Sequence, residues 1–191
     1  MIKVQVDITG VGPYSQSKHY DTSEVPKLNE GEESNADYEK RTWRHRCHSD
    51  SEGNMIIPAP AFKLAMEAAA SYKGIKIAGQ GNKTWTKKFT SGIMQIEPLV
   101  LPVKVDKVPG EWLFVPSDGK RGGAKRVNRC FPFLSEWSGT TEFLVLDEII
   151  TEPVFEQFLT TAGQFIGVGR FRPERGGSYG RFVINKLRWN I

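Results

Sequence analysis

The 191-residue sequence has few cysteines and no long apolar run, and both shortages exclude whole classes of protein. Its two cysteines, Cys47 and Cys130, are too few for a disulfide scaffold and fit a reduced, cytoplasmic setting. No stretch approaches the ~18 apolar residues of a membrane-spanning helix, so no contact with a membrane is expected. The first ten residues alternate apolar and polar side chains, which does not match a secretory signal.

Hydrophobic periodicity predicts an α+β fold. The segment 2–9 alternates as a half-buried strand does, and an alanine-rich helix begins at Pro58 and ends at Gly74. Thr151 is expected to cap a second helix that runs through Gly163. Further strands are predicted at 38–48, 92–105, 111–115, 141–148 and 180–189, with surface loops at about 14–37 and 117–129.

The order of these elements predicts one domain that covers the whole chain. Two main helices lie among antiparallel strands, as in a modified ferredoxin-like or RNA-recognition-like sheet with inserted loops. No internal repeat or low-complexity tail interrupts this pattern.

The charges are unevenly distributed along the chain. Lysine and arginine total 26 against 22 acidic residues, but the segment 21–39 alone holds seven acids and one base. The rest of the chain therefore carries 25 bases and 15 acids, a balance that suits a polyanionic partner. The net charge alone is equally typical of a soluble protein with a chance excess of basic residues. The positions of the basic residues must therefore distinguish the two interpretations.

The most informative segment is IGVGRFRPERGGSYGRFV, residues 166–183. Glycines let backbone amides approach a phosphate, arginines offer forked donors to its oxygens, and aromatic rings stack on bases. A solvated hairpin loop is the alternative, and neither a dinucleotide fingerprint nor a phosphate-binding loop motif is present. The position between a helix and the last strand favours nucleic-acid contact. The residues predicted to make it are Gly167, Gly169, Gly177, Arg170, Arg172, Arg175 and Arg181.

Three further basic clusters support the same prediction, although each alone is typical of a solvated face. One lies in the glycine-rich loop 117–129, one surrounds Trp85, and one surrounds Trp43 in a predicted strand. The tryptophans are candidates for base stacking, and the cluster at Trp43 is expected to present its arginines on one strand face. The predicted contact residues are Lys120, Arg121, Lys125, Arg126, Lys87, Lys88, Arg44 and Arg46.

Catalytic and metal chemistry find little support in the sequence. His45 and Cys47 would share a strand face while His48 points away, and no second cluster completes four ligands, so no metal or other cofactor is predicted. No catalytic residue is assigned. An endoribonuclease that uses His45 or His48 as acid-base group remains an alternative. Another is an interaction protein, such as a phage-encoded inhibitor, that works through the acidic segment 21–39.

Two segments resemble the RAMP superfamily, the RNA-recognition-fold proteins of CRISPR effector complexes. GNMIIPAPAFKLAMEAAA is similar to its strand-proline-helix element, with Ile57-Pro58 before the helix. IGVGRFRPERGGSYGRFVI resembles the glycine-rich loop before its last strand, through Gly167, Gly169, Gly177 and Gly180 with Arg181.

The resemblance implies a modified ferredoxin-like fold that holds single-stranded, guide-like RNA on a basic face. It also implies assembly with further copies or with other subunits of an antiviral ribonucleoprotein. In members that form the backbone of such assemblies, a loop placed like 14–37 presses on the guide as a thumb.

Overall fold

The computed structural model describes residues 1–27, 31, 33–117, 122 and 125–191. The helices within these residues are α1 (Asn35–Thr42), α2 (Pro60–Lys73), α3 (Thr86–Ser91) and α4 (Glu152–Thr161). The strands are β1 (Ile2–Gly10), β2 (Tyr14–Ser15), β3 (Asn54–Ile57), β4 (Ile93–Gln95), β5 (Leu99–Lys104), β6 (Gly110–Pro116), β7 (Arg126–Leu134), β8 (Ser138–Val145) and β9 (Phe182–Trp189). No helix among these residues is long and apolar enough to cross a membrane.

The central sheet has four antiparallel strands in the order β4-β8-β1-β9. Together with α2 and α4, its strands follow each other along the chain as β1-α2-β4-β8-α4-β9. This is the βαββαβ arrangement of a ferredoxin-like fold. The predicted α+β class and ferredoxin-like sheet are therefore confirmed.

The core lies between this sheet and the two long helices. Val4, Val6 and Ile8 alternate along β1 and are completely or almost completely buried. The buried stripe of α2 contains small residues, so the helix packs closely on the sheet and on α4. As predicted, α2 ends at Gly74, whose φ of +58° suits the left-handed position that terminates helices.

The two insertions into this fold pack against each other. One lies between β1 and α2, and the other lies between β4 and β8. They join through two further antiparallel sheets, β2-β7-β6 and β3-β5. The predicted loops 14–37 and 117–129 are thus partly regular, because α1 begins in the first and β7 begins in the second.

The predicted strand at 38–48 is wrong, because this segment is helical. The Ser34 hydroxyl caps α1 by accepting a backbone hydrogen bond at 3.1 Å, and a 3-10 turn over Trp43–Arg46 follows the helix. Glu39 and Thr42 are three residues apart and both buried, as helical periodicity requires. The alternation of basic and aromatic residues therefore does not place them on one strand face.

Candidate nucleic-acid interface

A groove opens where three chain segments meet: the stretch after β2, the β6–β7 hairpin, and the glycine-rich segment between α4 and β9. Its volume of about 1480 Å³ exceeds the roughly 300–1,000 Å³ of a small-molecule pocket. Among its described lining residues, Glu174 is the one carboxylate. We call it the basic groove, after its cationic lining residues Lys18, Arg46, Arg126, Arg129, Arg170 and Arg175.

The glycine-rich segment is tightly folded onto the N-terminal part of the chain. The Arg170 amide donates to the Ser15 carbonyl at 2.8 Å, and the Gly180 amide donates to the Pro13 carbonyl at 2.7 Å. The Tyr179 hydroxyl donates to Glu111 of β6 at 2.9 Å. These bonds fix the segment beside the hairpin and build one wall of the basic groove.

The glycines of this segment allow close contacts within the protein. A Cβ on Gly177 would lie 1.8 Å from the Phe171 carbonyl oxygen, and one on Gly180 would lie 1.8 Å from that of Val168. Gly167 and Gly169 have positive φ in the same segment. Internal packing thus accounts for the glycines by itself, and their contact with phosphate stays a prediction.

Arg170 is held between two aromatic rings. Its guanidinium carbon lies 3.2 Å from the ring centre of Phe131 and 4.6 Å from that of Phe171. Burial lowers the pKa of Arg170 to about 10, against the opposing negative charge of Glu111, so the side chain stays charged at neutral pH. One of its N–H groups donates to the Ser15 hydroxyl at 3.4 Å, and the guanidinium has further N–H groups with which to bind an anion.

Of the other three predicted arginines of the segment, Arg175 lines the basic groove with Arg170, whereas Arg172 and Arg181 do not. Arg172 pairs with Glu174 at 2.8 Å and donates to the Gly169 carbonyl at 3.1 Å, so it holds the segment together. Arg175 is exposed in the basic groove. Arg181 donates to the Gln164 carbonyl and lines a different pocket.

Buried charges organise the floor of the basic groove. Both oxygens of Glu39 accept from Arg46, at 2.6 and 3.0 Å, and the Cys130 amide also donates to Glu39 at 2.8 Å. Arg129 lies 3.5 Å from the same carboxylate. Glu39 therefore fixes two cations of the groove through a long-range contact that the sequence pattern does not reveal.

The expectation that Arg44 and Arg46 share a face is wrong, because they lie on a 3-10 turn. Arg46 is buried, whereas Arg44 is exposed and stacks on Trp43 at 4.2 Å. Trp43 itself is only 6% exposed, and Trp85 packs against Phe158. Trp43 is therefore buried, and Trp85 is partly buried against the core.

The remaining predicted cations are dispersed. Lys87 and Lys88 lie on α3, which packs on α2 and β4, and Lys88 pairs with Asp147 at 2.8 Å. Arg126 lines the basic groove, and Lys125 precedes it on the exposed surface. Lys120 and Arg121 lie outside the described residues.

The open face of the central sheet mixes polar and apolar side chains, and several of its charges are paired. Arg188 lies 2.8 Å from Asp7 and 3.0 Å from Gln5, and Lys3 lies 2.7 Å from Glu142. The residues that share this face carry no aromatic ring along the four fully described strands. RNA-recognition domains stack bases on aromatic residues of this face, so the basic groove is the better candidate interface here.

The histidines and cysteines form no evident reaction centre. No group of three histidine, cysteine or acidic side chains that could hold a metal is found within the described part of the chain. Burial raises the pKa of the Cys47 thiol to about 11 and lowers that of His48. His45 is exposed and stacks near Tyr20, whereas His19 lines the basic groove.

Comparison with known proteins is informative at the level of the fold. No protein-family model and no curated protein sequence matches the chain. Among solved structures, the crystal structure of Cmr6 from Pyrococcus furiosus superimposes with a TM-score of 0.51 and 13% identity, over 96% of this chain and 99% of that one. The chain is similar in fold to Cmr6.

The alignment with Cmr6 extends over nearly the whole of each chain. The two segments that resemble the RAMP superfamily occupy the expected places in the fold. Ile57-Pro58 immediately precedes α2, and the glycine-rich segment immediately precedes β9.

Proposed function

We propose that the protein binds single-stranded RNA in the basic groove, as a RAMP-type subunit of a CRISPR-like ribonucleoprotein. The observation that carries the proposal is the convergence of cations from three distant chain segments on one groove. The carboxylate of Glu174 is already paired with Arg172, so the groove keeps a surplus of positive charge for phosphates. The fold similarity to Cmr6 supports the same class of function.

Phe171 favours single-stranded over double-stranded RNA. Its ring is 43% exposed in the basic groove, with the Arg170 guanidinium against it. Its φ of +50° is unusual for a bulky residue, and such strained positions cluster at functional sites. An unpaired base can stack on this ring, whereas a base within a duplex is already stacked on its neighbours.

The acidic segment is a weaker candidate for the working surface. Glu39 is buried with Arg46, Glu33 pairs with Arg41 at 2.7 Å, and Asp37 pairs with Lys40 at 2.9 Å. These three charges are paired within the chain, which leaves Asp21 and Glu24 as the remaining exposed acids of the segment within its described residues. Glu30 and Glu32 lie outside the described residues.

Removing two exposed groove cations should weaken RNA binding. We expect Arg126→Ala with Arg175→Ala to lower the affinity for a fluorescent oligouridylate by about tenfold. The slope of log affinity against log salt concentration should become shallower by an amount that corresponds to about two phosphate contacts. Lys76→Ala with Lys107→Ala is the matched control, because it removes two exposed cations outside the groove. Equal losses in the two double variants, measured by fluorescence anisotropy across a salt series, would refute the groove assignment.

Phe171→Gly should separate binding from stability. Glycine adopts a positive φ without strain, and the relief of that strain stabilises the fold by about 1–2 kcal/mol. This gain offsets the loss of the ring contacts. The free energy of unfolding should therefore change by less than about 1 kcal/mol. RNA affinity should nevertheless fall about tenfold, because the stacking surface is gone. Phe171→Tyr keeps the ring and should keep the affinity. Retention of full affinity by Phe171→Gly would argue against base stacking there.

RNA cleavage is tested in the same preparations. His45 and His48, the acid-base candidates of the endoribonuclease alternative, do not line the groove, whereas His19 does. The carboxylate in the groove, Glu174, is already paired with Arg172. We expect end-labelled RNA to be recovered intact after incubation. A product that disappears in His19→Ala would establish the endoribonuclease alternative instead.

A further inference from the structure

A second pocket lies on the other side of the glycine-rich segment. We propose that it is a second RNA-binding site, which a strand enters after it leaves the basic groove across the turn Pro173–Arg175. This proposal rests on the proposed function. We call it the aromatic pocket, and its lining includes Tyr72, Phe165, Ile166, Pro173, Glu174 and Arg181.

The aromatic rings of this pocket are available to bases. Tyr72 and Phe165 stack on each other with ring centres 5.5 Å apart and planes 23° from parallel. Tyr72 is 62% exposed and Phe165 is 44% exposed. Phe165 lies in a π-helical turn, Ala162–Ile166, which extends α4, and such turns are frequent at functional sites. Exposed rings beside a cationic surface are the elements from which sites for single strands are built.

Positive charge surrounds these rings. The Lys73 ammonium lies 5.7 Å from the ring centre of Phe165, and Arg181 lines the pocket beside it. Arg181 donates to the Gln164 carbonyl, which fixes its charge at the end of α4. The nearby Glu174 carboxylate is engaged by Arg172 at 2.8 Å and faces Arg175 at 3.7 Å. The aromatic pocket can therefore accept phosphate without an uncompensated acid.

The two sites are continuous across one short turn. Glu174 lines both the basic groove and the aromatic pocket. Arg175 faces the groove, while Pro173 forms part of the pocket wall. Because cations lie on both sides of this turn, a polyanionic strand matches the whole path, which favours RNA over an apolar protein segment as the occupant.

A length series of oligouridylates tests the second site. Oligomers of about 4 to about 16 nucleotides span the sizes that single-strand-binding folds cover. For the wild-type chain, we expect affinity to rise with length until both sites are filled. Tyr72→Ala with Phe165→Ala should lower the affinity for the longest oligomer about tenfold and leave that of the shortest unchanged. The aromatic exchange Tyr72→Phe with Phe165→Tyr should restore long-oligomer binding.

The control is Phe114→Ala, which removes a ring that is 60% exposed and lines neither site. It should change no affinity at any length. A wild-type chain that binds no oligomer overturns the proposed function itself. A wild-type chain that binds, but whose Tyr72 and Phe165 variant binds long oligomers equally well, overturns only the second site. A loss that is equal at every length also overturns it.

Discussion

Glu39→Gln is expected to lower the free energy of unfolding by about 3–5 kcal/mol. The substitution leaves the guanidinium of Arg46 buried without its carboxylate, and the new amide group places a donor among donors. Glu39 and Arg46 are 3% and 5% exposed, so water cannot replace the lost partner. The backbone amide of Cys130 also loses its charged acceptor. Urea denaturation followed by tryptophan fluorescence measures the change.

Asp37→Asn on the same helix provides the comparison. Asp37 also pairs with a cation, Lys40 at 2.9 Å, but both side chains are exposed. Its replacement should leave the free energy of unfolding nearly unchanged, because exposed ion pairs contribute little. If the two substitutions have the same effect, the buried pair does not stabilise the floor of the basic groove as inferred.

Gly180→Ala is expected to destabilise the protein by more than about 2 kcal/mol. The added Cβ would meet the Val168 carbonyl oxygen at 1.8 Å, and the backbone φ is +69°. The atoms that the new Cβ would meet belong to the backbone of Val168. The Val168 amide also donates to the Gly180 carbonyl at 3.0 Å, so the chain at Val168 cannot move away from Gly180 without loss of that bond. Thermal and urea unfolding should both report the change.

Gly74→Ala isolates the contribution of the backbone angle. Gly74 has a similar φ of +58°, and a Cβ there would meet nothing within 4 Å. We expect a loss of about 1–2 kcal/mol, the ordinary penalty for a left-handed residue with a side chain. If Gly180→Ala is no more damaging than Gly74→Ala, the close packing of the glycine-rich segment does not contribute to stability.

Much of the fold was predictable because its strongest periodicities are local. β1 alternates over eight residues, and α2 combines proline at its start, alanine within it and glycine at its end. The prediction of a strand at 38–48 was wrong because basic and aromatic residues alternate there by chance, although the segment is helical. What decides its conformation is the burial of Glu39 against Arg46 and Cys130, and that contact depends on β7, which lies far along the chain.

The candidate site was predictable only in part, for the same reason. The sequence shows that 166–183 is basic and glycine-rich. It does not reveal that the Arg170 guanidinium packs on the Phe131 ring, or that the Arg170 amide donates to the Ser15 carbonyl. Nor does it separate Arg170 from Arg181, which lie on different sides of one segment. Which side of the segment each arginine lies on depends on how distant strands pair. The composition shows only that the cations are present.

The order of the strands has a consequence for when the basic groove can form during synthesis. β1 pairs with β9, which lies far along the chain, and the groove takes its walls from described residues within 17–22, 115–117, 126–131 and 170–177. A ribosome must therefore release almost the entire chain before these walls can meet. Nascent or prematurely terminated chains that end before residue 170 therefore lack one wall of the basic groove.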